Sequence, residues 1–208
     1  RRSLPPAGGT FVMGVLNLTP DSFSDGGRLA DAGAAVRAGV QLVRDGAQVL
    51  DVGAVSTRPG SQGVSVDEEW ARLDGVLGPL RSAVDVPLSL DTTRAEVLAR
   101  ALAVGVDVLN DTSALADDPE LGAVAAQADL PVVLMHRRGT PAEMQRAPHY
   151  DDAVSEVLAE LDEALARAQA SGLSEERLLL DPGIGFGKRL EDNLALMAAL
   201  PRLVALGP

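Results

Sequence analysis

Nearly every short aliphatic run in this chain is closed by a polar residue, and each run is separated from the next by a longer stretch of helical period. The runs are FVMGVL (Phe11–Leu16), QVLDVG (Gln48–Gly53), VPLSLD (Val86–Asp91), VDVLND (Val106–Asp111), PVVLMH (Pro131–His136) and RLLLD (Arg177–Asp181). Each is apolar on both faces, as strands of a parallel sheet covered by helices must be. The helical period is clearest over Asp151–Ala170, where Val154, Val157, Leu158, Leu161, Leu165 and Ala168 recur at three- and four-residue steps. Its polar face predicts an i,i+4 pair between Glu163 and Arg167. Capping-box spacing predicts helix starts at TPAE (Thr140–Glu143) and SVDE (Ser65–Glu68).

Repeated strand–helix units with right-handed crossovers leave two α/β architectures, a doubly wound open sheet or a TIM-type (β/α)8 barrel. The closing residues decide between them. Asn17, Asp51, Asp91, Asn110, Asp111, His136 and Asp181 end many different strands, which is how a barrel assembles its active site. An open sheet would gather its ligands at one switch point. The expectation is one barrel domain over residues 1–208 with about six βα units, the last two being absent.

Charge and composition remove other classes. Acidic residues outnumber basic ones 30 to 18, the formal charge is −12 and the pI is near 4.5. Such a chain repels phosphate backbones, so no nucleic-acid partner is expected. The chain contains no cysteine, hence no disulfide framework, thiolate metal site or cysteine nucleophile. No apolar run reaches the ~18 residues that cross a bilayer, and SLPPAGG after the leading arginines is not the core of a targeting signal. The reading is a soluble cytoplasmic protein with no membrane partner.

Two long βα loops interrupt the rhythm, NLTPDSFSDGG (Asn17–Gly27) and STRPGSQGVS (Ser56–Ser65). Long loops in compact domains are commonly functional. The first reads either as a capped surface turn or as a mobile lid, for which an aromatic (Phe23) and an acid are useful. In the second, Arg58 suits bidentate phosphate binding, with a surface ion pair as the plainer alternative. DPGIGFGK (Asp181–Lys188) fails both the P-loop and the dinucleotide fingerprints. Its glycines instead let a flat ligand approach the backbone, with Asp181 beneath and Phe186 beside it.

Asp91, Asn110 and Asp181 converge if the strands form a barrel. Carboxylates with a neighbouring amide can hydrogen-bond the edge of a nitrogen heterocycle, although each alone reads equally well as a helix cap. His136 is either a base or a structural residue; His149 reads as exposed. No zinc spacing such as HExxH occurs. A magnesium ion (Mg2+) held jointly by Asn17 and substrate phosphates would fit that cation's habit.

MGVLNLTPDSFSDGG, DVG followed two residues later by STRPG, SLDT, LND at Leu109–Asp111, LMH and LDPGIGFGK occur in this order. From about Phe11 onward the chain resembles the dihydropteroate synthase family, folate-pathway enzymes and sulfonamide targets that join a pterin to p-aminobenzoate. The resemblance implies a (β/α)8 barrel, with Asp91, Asn110 and Asp181 on the pterin edge and Met135, Gly185 and Phe186 lining its pocket. It implies that Asn17 helps hold magnesium and the substrate diphosphate. Phe23, Asp25, Thr57 and Arg58 would act in catalysis, and Ser56 and Pro59 on the p-aminobenzoate side, all on loops that close over the site. Lys188 matches a motif position without an assigned task.

The chemistry so implied uses pterin diphosphate and p-aminobenzoate, passes through a pterin-methylene cation and needs no covalent enzyme intermediate. A homodimer is implied for the full-length protein. Two departures accompany the match. Val55 stands where the family has an acid before STRPG, and a Ser-Arg-Lys segment and a late Arg-x-His find no counterpart, so weak or no turnover is expected of this chain alone. Two rival readings remain: a pterin-binding methyltransferase-type domain, which should lack NLTPDSFSDGG, and a truncated non-catalytic pterin-binding paralogue.

Overall fold

The computed structural model describes residues 2, 4, 10–19, 28–55, 64–140 and 142–207. Strands and helices alternate as β1 (Met13–Asn17), α1 (Arg28–Arg44), β2 (Val49–Gly53), α2 (Val66–Ala83), β3 (Leu88–Asp91), α3 (Ala95–Leu102), β4 (Val108–Asp111), α4 (Leu121–Gln127), β5 (Val132–Met135), α5 (Ala153–Ala170), β6 (Leu178–Asp181), α6 (Leu190–Ala198) and α7 (Leu200–Leu206). The chain divides into two compact units, one comprising residues 1–56 and 63–109, the other 57–62 and 110–208.

In the first unit the strand order is β1-β2-β3. β1 and β2 are parallel with Gly14 opposite Leu50 and Asn17 opposite Gly53, and β2 and β3 with Leu50 opposite Leu88 and Gly53 opposite Asp91. Side chains alternate across a strand, so Leu16, Leu50, Val52, Leu88 and Leu90 face the helices and are almost wholly buried. Each such leucine contributes ~1.5–3 kcal/mol through removal from water. Helix α1 packs on this face and against α2: a Cβ at Gly39 would meet Leu50 Cδ1 at 3.5 Å and Leu80 Cδ1 of α2 at 2.7 Å. Beneath β4, buried Asp107 accepts from Arg81 Nη1 at 2.6 Å and from Leu88 N–H at 3.0 Å.

The second unit has the order β4-β5-β6, with β5 and β6 parallel and Met135 opposite Asp181. Helix α5 starts at Asp152, whose Oδ1 accepts from Ser155 N–H at 3.2 Å. Its buried stripe, Val157 and Leu161, packs with Tyr150, Leu196 and Leu203. Parallel strands in sequence order, each followed by a helix, are the βα units of the TIM-type (β/α)8 class, with six units in this chain.

Every expected strand forms, with displaced ends. VPLSLD and PVVLMH begin as strands only at Leu88 and Val132, because Pro87 and Pro131 have no N–H to give a ladder. Asn17 lies inside β1, not after it. Ser65 caps α2, its Oγ accepting from Glu68 N–H at 3.2 Å. The Glu68 carboxylate turns to Arg72 Nη2 at 2.7 Å rather than closing the box.

Two local expectations fail. TPAE starts no helix: Glu143 and Met144 N–H both return to Thr140 O, at 2.9 and 2.8 Å, in an isolated turn. Arg167 does not serve its own helix face; its guanidinium donates to Ala114 O at 3.2 Å.

Candidate active site

In the first unit the strand register builds one row, Asn17–Gly53–Asp91, across the carboxyl ends of β1, β2 and β3. Parallel partners point their side chains to the same face. Gly53 is the residue that makes room there: a Cβ at this position would lie 2.9 Å from Asp91 Oδ2. Asp91 is half-buried and Asn17 is exposed.

The segment after Asp91 is tied down from α2. Buried Glu69 accepts from Thr92 Oγ1 at 2.6 Å and from Arg94 Nη1 at 3.1 Å. Arg94 also donates to Val64 O at 2.6 Å, and Arg72 to Ala54 O at 2.7 Å. Desolvation raises the Glu69 pKa, against the lowering effect of its bonds to Thr92 and Arg94. Nothing in SVDEEW marks Glu69 as more than a first-turn acid, because its partners lie 23 and 25 residues away.

In the second unit Met135 and Asp181 are register partners, and His136 N–H donates to Asp181 O at 2.9 Å. Asp181 Oδ1 accepts from Gly183 N–H at 2.8 Å, which sets the carboxylate's orientation. DPGIGFGK then curls through left-handed backbone at Gly183 (φ 65°), Gly185 (φ 86°) and Gly187 (φ 62°), conformations that glycine adopts without a Cβ penalty. Phe186 N–H closes a turn onto Gly183 O at 3.0 Å. Phe186 is half-buried and Gly185 exposed, with Gly185 N–H donating to Asn193 Oδ1 at 2.8 Å.

Lys188 is 4% exposed and folds back beneath this turn. Its Nζ donates to Gly183 O and Phe186 O, both at 2.9 Å, and reaches His136 Nδ1 at 3.0 Å. His136 Nε2 stands 2.9 Å from Glu160 Oε2. Arg138 donates to Glu160 and to Glu156 at 2.8 Å, and its guanidinium lies 4.1 Å from the Tyr150 ring centre. His136 is thus not a lone histidine, whereas His149 is exposed as expected, with its side chain 74% accessible.

Burial, assisted by the Lys188 charge, pushes the His136 imidazolium down to about 4. An ordinary histidine titrates near 6.5, so between that pH and 4 the unfolded chain takes up a proton that the folded chain refuses. Stability is therefore complete above this window and falls by up to ~3 kcal/mol as pH drops through it. Urea midpoints measured from pH 7 to 4 should show the decline, and the slope should flatten in a His136→Gln chain.

At the end of β4, Asn110 is half-buried and Asp111 fully buried. Asp111 Oδ1 accepts from Ser113 N–H at 2.8 Å and Ser113 Oγ at 2.7 Å, and Oδ2 from Leu115 N–H at 2.5 Å. Desolvation raises the Asp111 pKa. The expected pterin-edge residues are therefore all at strand ends, Asp91 in the first unit and Asn110 and Asp181 in the second. Phe23, Asp25, Ser56, Thr57, Arg58 and Pro59 lie outside the described residues.

Comparison with known proteins gives the family. The family model described as pterin binding enzyme matches residues 13–207. A dihydropteroate synthase of Synechocystis sp. is 44% identical over 198 residues, covering 95% of this chain and 68% of its own length. A Xanthomonas albilineans dihydropteroate synthase solved with 4-aminobenzoic acid superposes with a TM-score of 0.87 at 46% identity, covering 94% of this chain and 69% of that one. The same organism's enzyme in complex with 7,8-dihydropteroate gives a TM-score of 0.83 at 43% identity, with the same coverage of 94% and 69%. On its strand-end residues, its glycine turn and these matches, the chain belongs to the dihydropteroate synthase family of pterin binding enzymes.

Proposed function

We propose that this chain acts as a dihydropteroate synthase, joining 6-hydroxymethyl-dihydropterin diphosphate to p-aminobenzoate. The observation that carries the reading is the DPGIGFGK turn. It fastens Asp181 by one carboxylate oxygen at the mouth of β6 beside Met135, in a chain of this family.

In the second unit Asn110 and Asp181 hydrogen-bond the polar edge of the pterin, and Met135, Gly185 and Phe186 supply the surfaces against which a flat ring lies. The bond between the pterin methylene carbon and the diphosphate oxygen breaks, leaving a cation on the pterin side. The arylamine nitrogen attacks that carbon and then loses a proton. Asp25 and the pterin-bound carboxylates favour the developing positive charge. Phe23, Ser56, Thr57, Arg58 and Pro59 close over the reactants and exclude water, a competing nucleophile.

Among the described residues no group of three or more histidine, cysteine, aspartate and glutamate side chains could hold a resident metal. Asn17, an exposed amide at the end of β1, would help hold a magnesium ion together with the substrate diphosphate. When bound, the cation neutralises charge on the departing diphosphate.

The proposal extends to a cytoplasmic location, the absence of nucleic-acid partners and, for the full-length protein, a homodimer. The formal charge of −12 supports the absence of nucleic-acid partners, and exposed Leu194, Met197, Leu200 and Val204 on α6 and α7 support self-association. No described helix is long and apolar enough to cross a membrane.

The test is a calorimetric titration with pterin diphosphate, followed by detection of dihydropteroate when p-aminobenzoate and magnesium are added. Saturable binding by this chain is expected, and product formation by the full-length protein. Binding without product would reassign the chain as a non-catalytic pterin binder, and no binding would remove the proposal. In the full-length protein Asp25→Ala should lower turnover ~10²-fold, the scale of one lost electrostatic stabiliser. Its pterin affinity should stay near that of the unaltered chain; equal losses in both would remove the assigned role.

A further inference from the structure

Lys188 is a buried cation to which the proposed chemistry assigns no task. Its ammonium has three protons, and three acceptors stand at or within 3.0 Å: Gly183 O, Phe186 O and His136 Nδ1. His136 O lies farther away at 3.3 Å. The acceptors belong to both sides of one seam. Gly183 and Phe186 are in the turn after β6, and His136 is the first residue beyond β5.

The imidazole has one arrangement that satisfies both its neighbours. Lys188 has no lone pair to offer while charged, so Nδ1 must accept, and the ring proton sits on Nε2, directed at Glu160. Glu160 is in turn held by Arg138 at 2.8 Å. The result is a continuous chain, Arg138–Glu160–His136–Lys188, running from the flank of α5 to the underside of the turn.

We propose that Lys188 is a positioning residue for the pterin site: its ammonium staples the Gly183–Phe186 turn to the end of β5 and locks His136 as the Nε2–H tautomer. This rests on the reading of Asp181, Gly185 and Phe186 as pterin-binding residues. The staple sits directly under them. Gly183 carries the N–H that orients the Asp181 carboxylate, and the same residue's carbonyl is bound by Lys188.

The staple is sensitive to alkali. Burial lowers the Lys188 pKa to about 8. Asp181, Glu160 and Asp192 favour the charged form, while Arg138 opposes it. His136, itself held neutral, contributes an acceptor and no charge. Loss of the third proton removes one of the three bonds, so the turn loosens as pH rises through about 8.

The experiment compares the unaltered chain with Lys188→Met, His136→Asn and His136→Gln. Nitrogen-15 NMR of the ligand-free chain should show His136 as the Nε2–H tautomer, and the Phe186 amide shift should titrate near pH 8. In Lys188→Met the tautomers should interchange, the Phe186 amide should exchange at least ~10-fold faster, and the pterin diphosphate Kd should rise ~10-fold or more. That is the scale of losing a charged hydrogen bond. Asparagine places an acceptor near Nδ1 and glutamine near Nε2. His136→Asn should therefore keep the turn, and His136→Gln should reproduce the Lys188→Met phenotype.

An Nδ1–H tautomer in the unaltered chain, or an unchanged Kd and amide exchange in Lys188→Met, would overturn the proposal. If the unaltered chain binds no pterin, the assigned function fails and the tautomer and amide measurements alone decide the staple. If Lys188→Met does not fold, His136→Gln and the pH titration of the unaltered chain decide it.

Discussion

Replacing Gly183 by alanine is expected to destabilise the second unit by ~3 kcal/mol or more and to abolish pterin binding. Two effects combine. With φ at 65°, Gly183 occupies the left-handed region, which costs an ordinary residue ~1–2 kcal/mol. In addition, a Cβ built there would overlap the His136 carbonyl oxygen, and backbone atoms cannot rotate aside as a side-chain tip would. The turn would have to lift off the end of β5. That movement would break the Gly183 N–H bond to Asp181 and separate Lys188 from its acceptors.

Gly185→Ala is the matched control. Gly185 is also left-handed, with φ at 86°, but a Cβ there has nothing within 4 Å, so only the conformational cost of ~1 kcal/mol is expected. Urea midpoints on both chains separate the cases. Similar behaviour of the two variants would show that the close approach at Gly183 is unimportant.

Asp111→Ala should cost ~3–5 kcal/mol and weaken pterin binding through its neighbour Asn110. The loop it organises is conformationally expensive: Ala114 and Leu115 have φ of 50° and 62°, left-handed values at residues that carry a Cβ. The Asp111 carboxylate holds that loop through Ser113 and Leu115, and Arg167 holds Ala114 O from α5. Alanine would leave buried N–H groups of Ser113 and Leu115 without their acceptor, at ~1–3 kcal/mol each, and would release the strained backbone. Asp111→Asn, which keeps one oxygen for Ser113, should recover about half of the stability. Thermal unfolding followed by pterin titration tests both effects. A fully stable Asp111→Ala chain would show that packing alone imposes the loop.

The alternation of strand and helix, the parallel class and the strand-end position of Asp91, Asn110, Met135 and Asp181 were all legible beforehand. Each depends on information that is local in the chain: apolar runs of strand length, helical period, and a polar residue at the end of a run. Pro87 and Pro131 could even have corrected the strand starts, since the missing N–H is written in the sequence. The glycine spacing of DPGIGFGK reads as permission for a flat ligand to approach the backbone. What approaches at Gly183, however, is the His136 backbone of the same chain.

The errors share a cause. TPAE has the local grammar of a helix start, but its backbone is used in one isolated turn. Arg167 has a well-spaced partner on its own helix, yet its guanidinium bonds a carbonyl 53 residues away. In each case a tertiary partner offered more than the weak local preference, a few tenths of a kcal/mol for an i,i+4 pair.

By itself, then, the sequence determined the order and kind of the elements and which residues end the strands, because periodicity and turn chemistry act between near neighbours. The tertiary structure alone decided that Lys188 lies under the glycine turn, that His136 joins it to Glu160, and that Glu69 secures the segment after Asp91. Those bonds span 52, 24 and 23 residues. A buried polar group takes whichever acceptor or donor the strand register and helix packing bring within about 3 Å, and that choice exists only once the chain has folded.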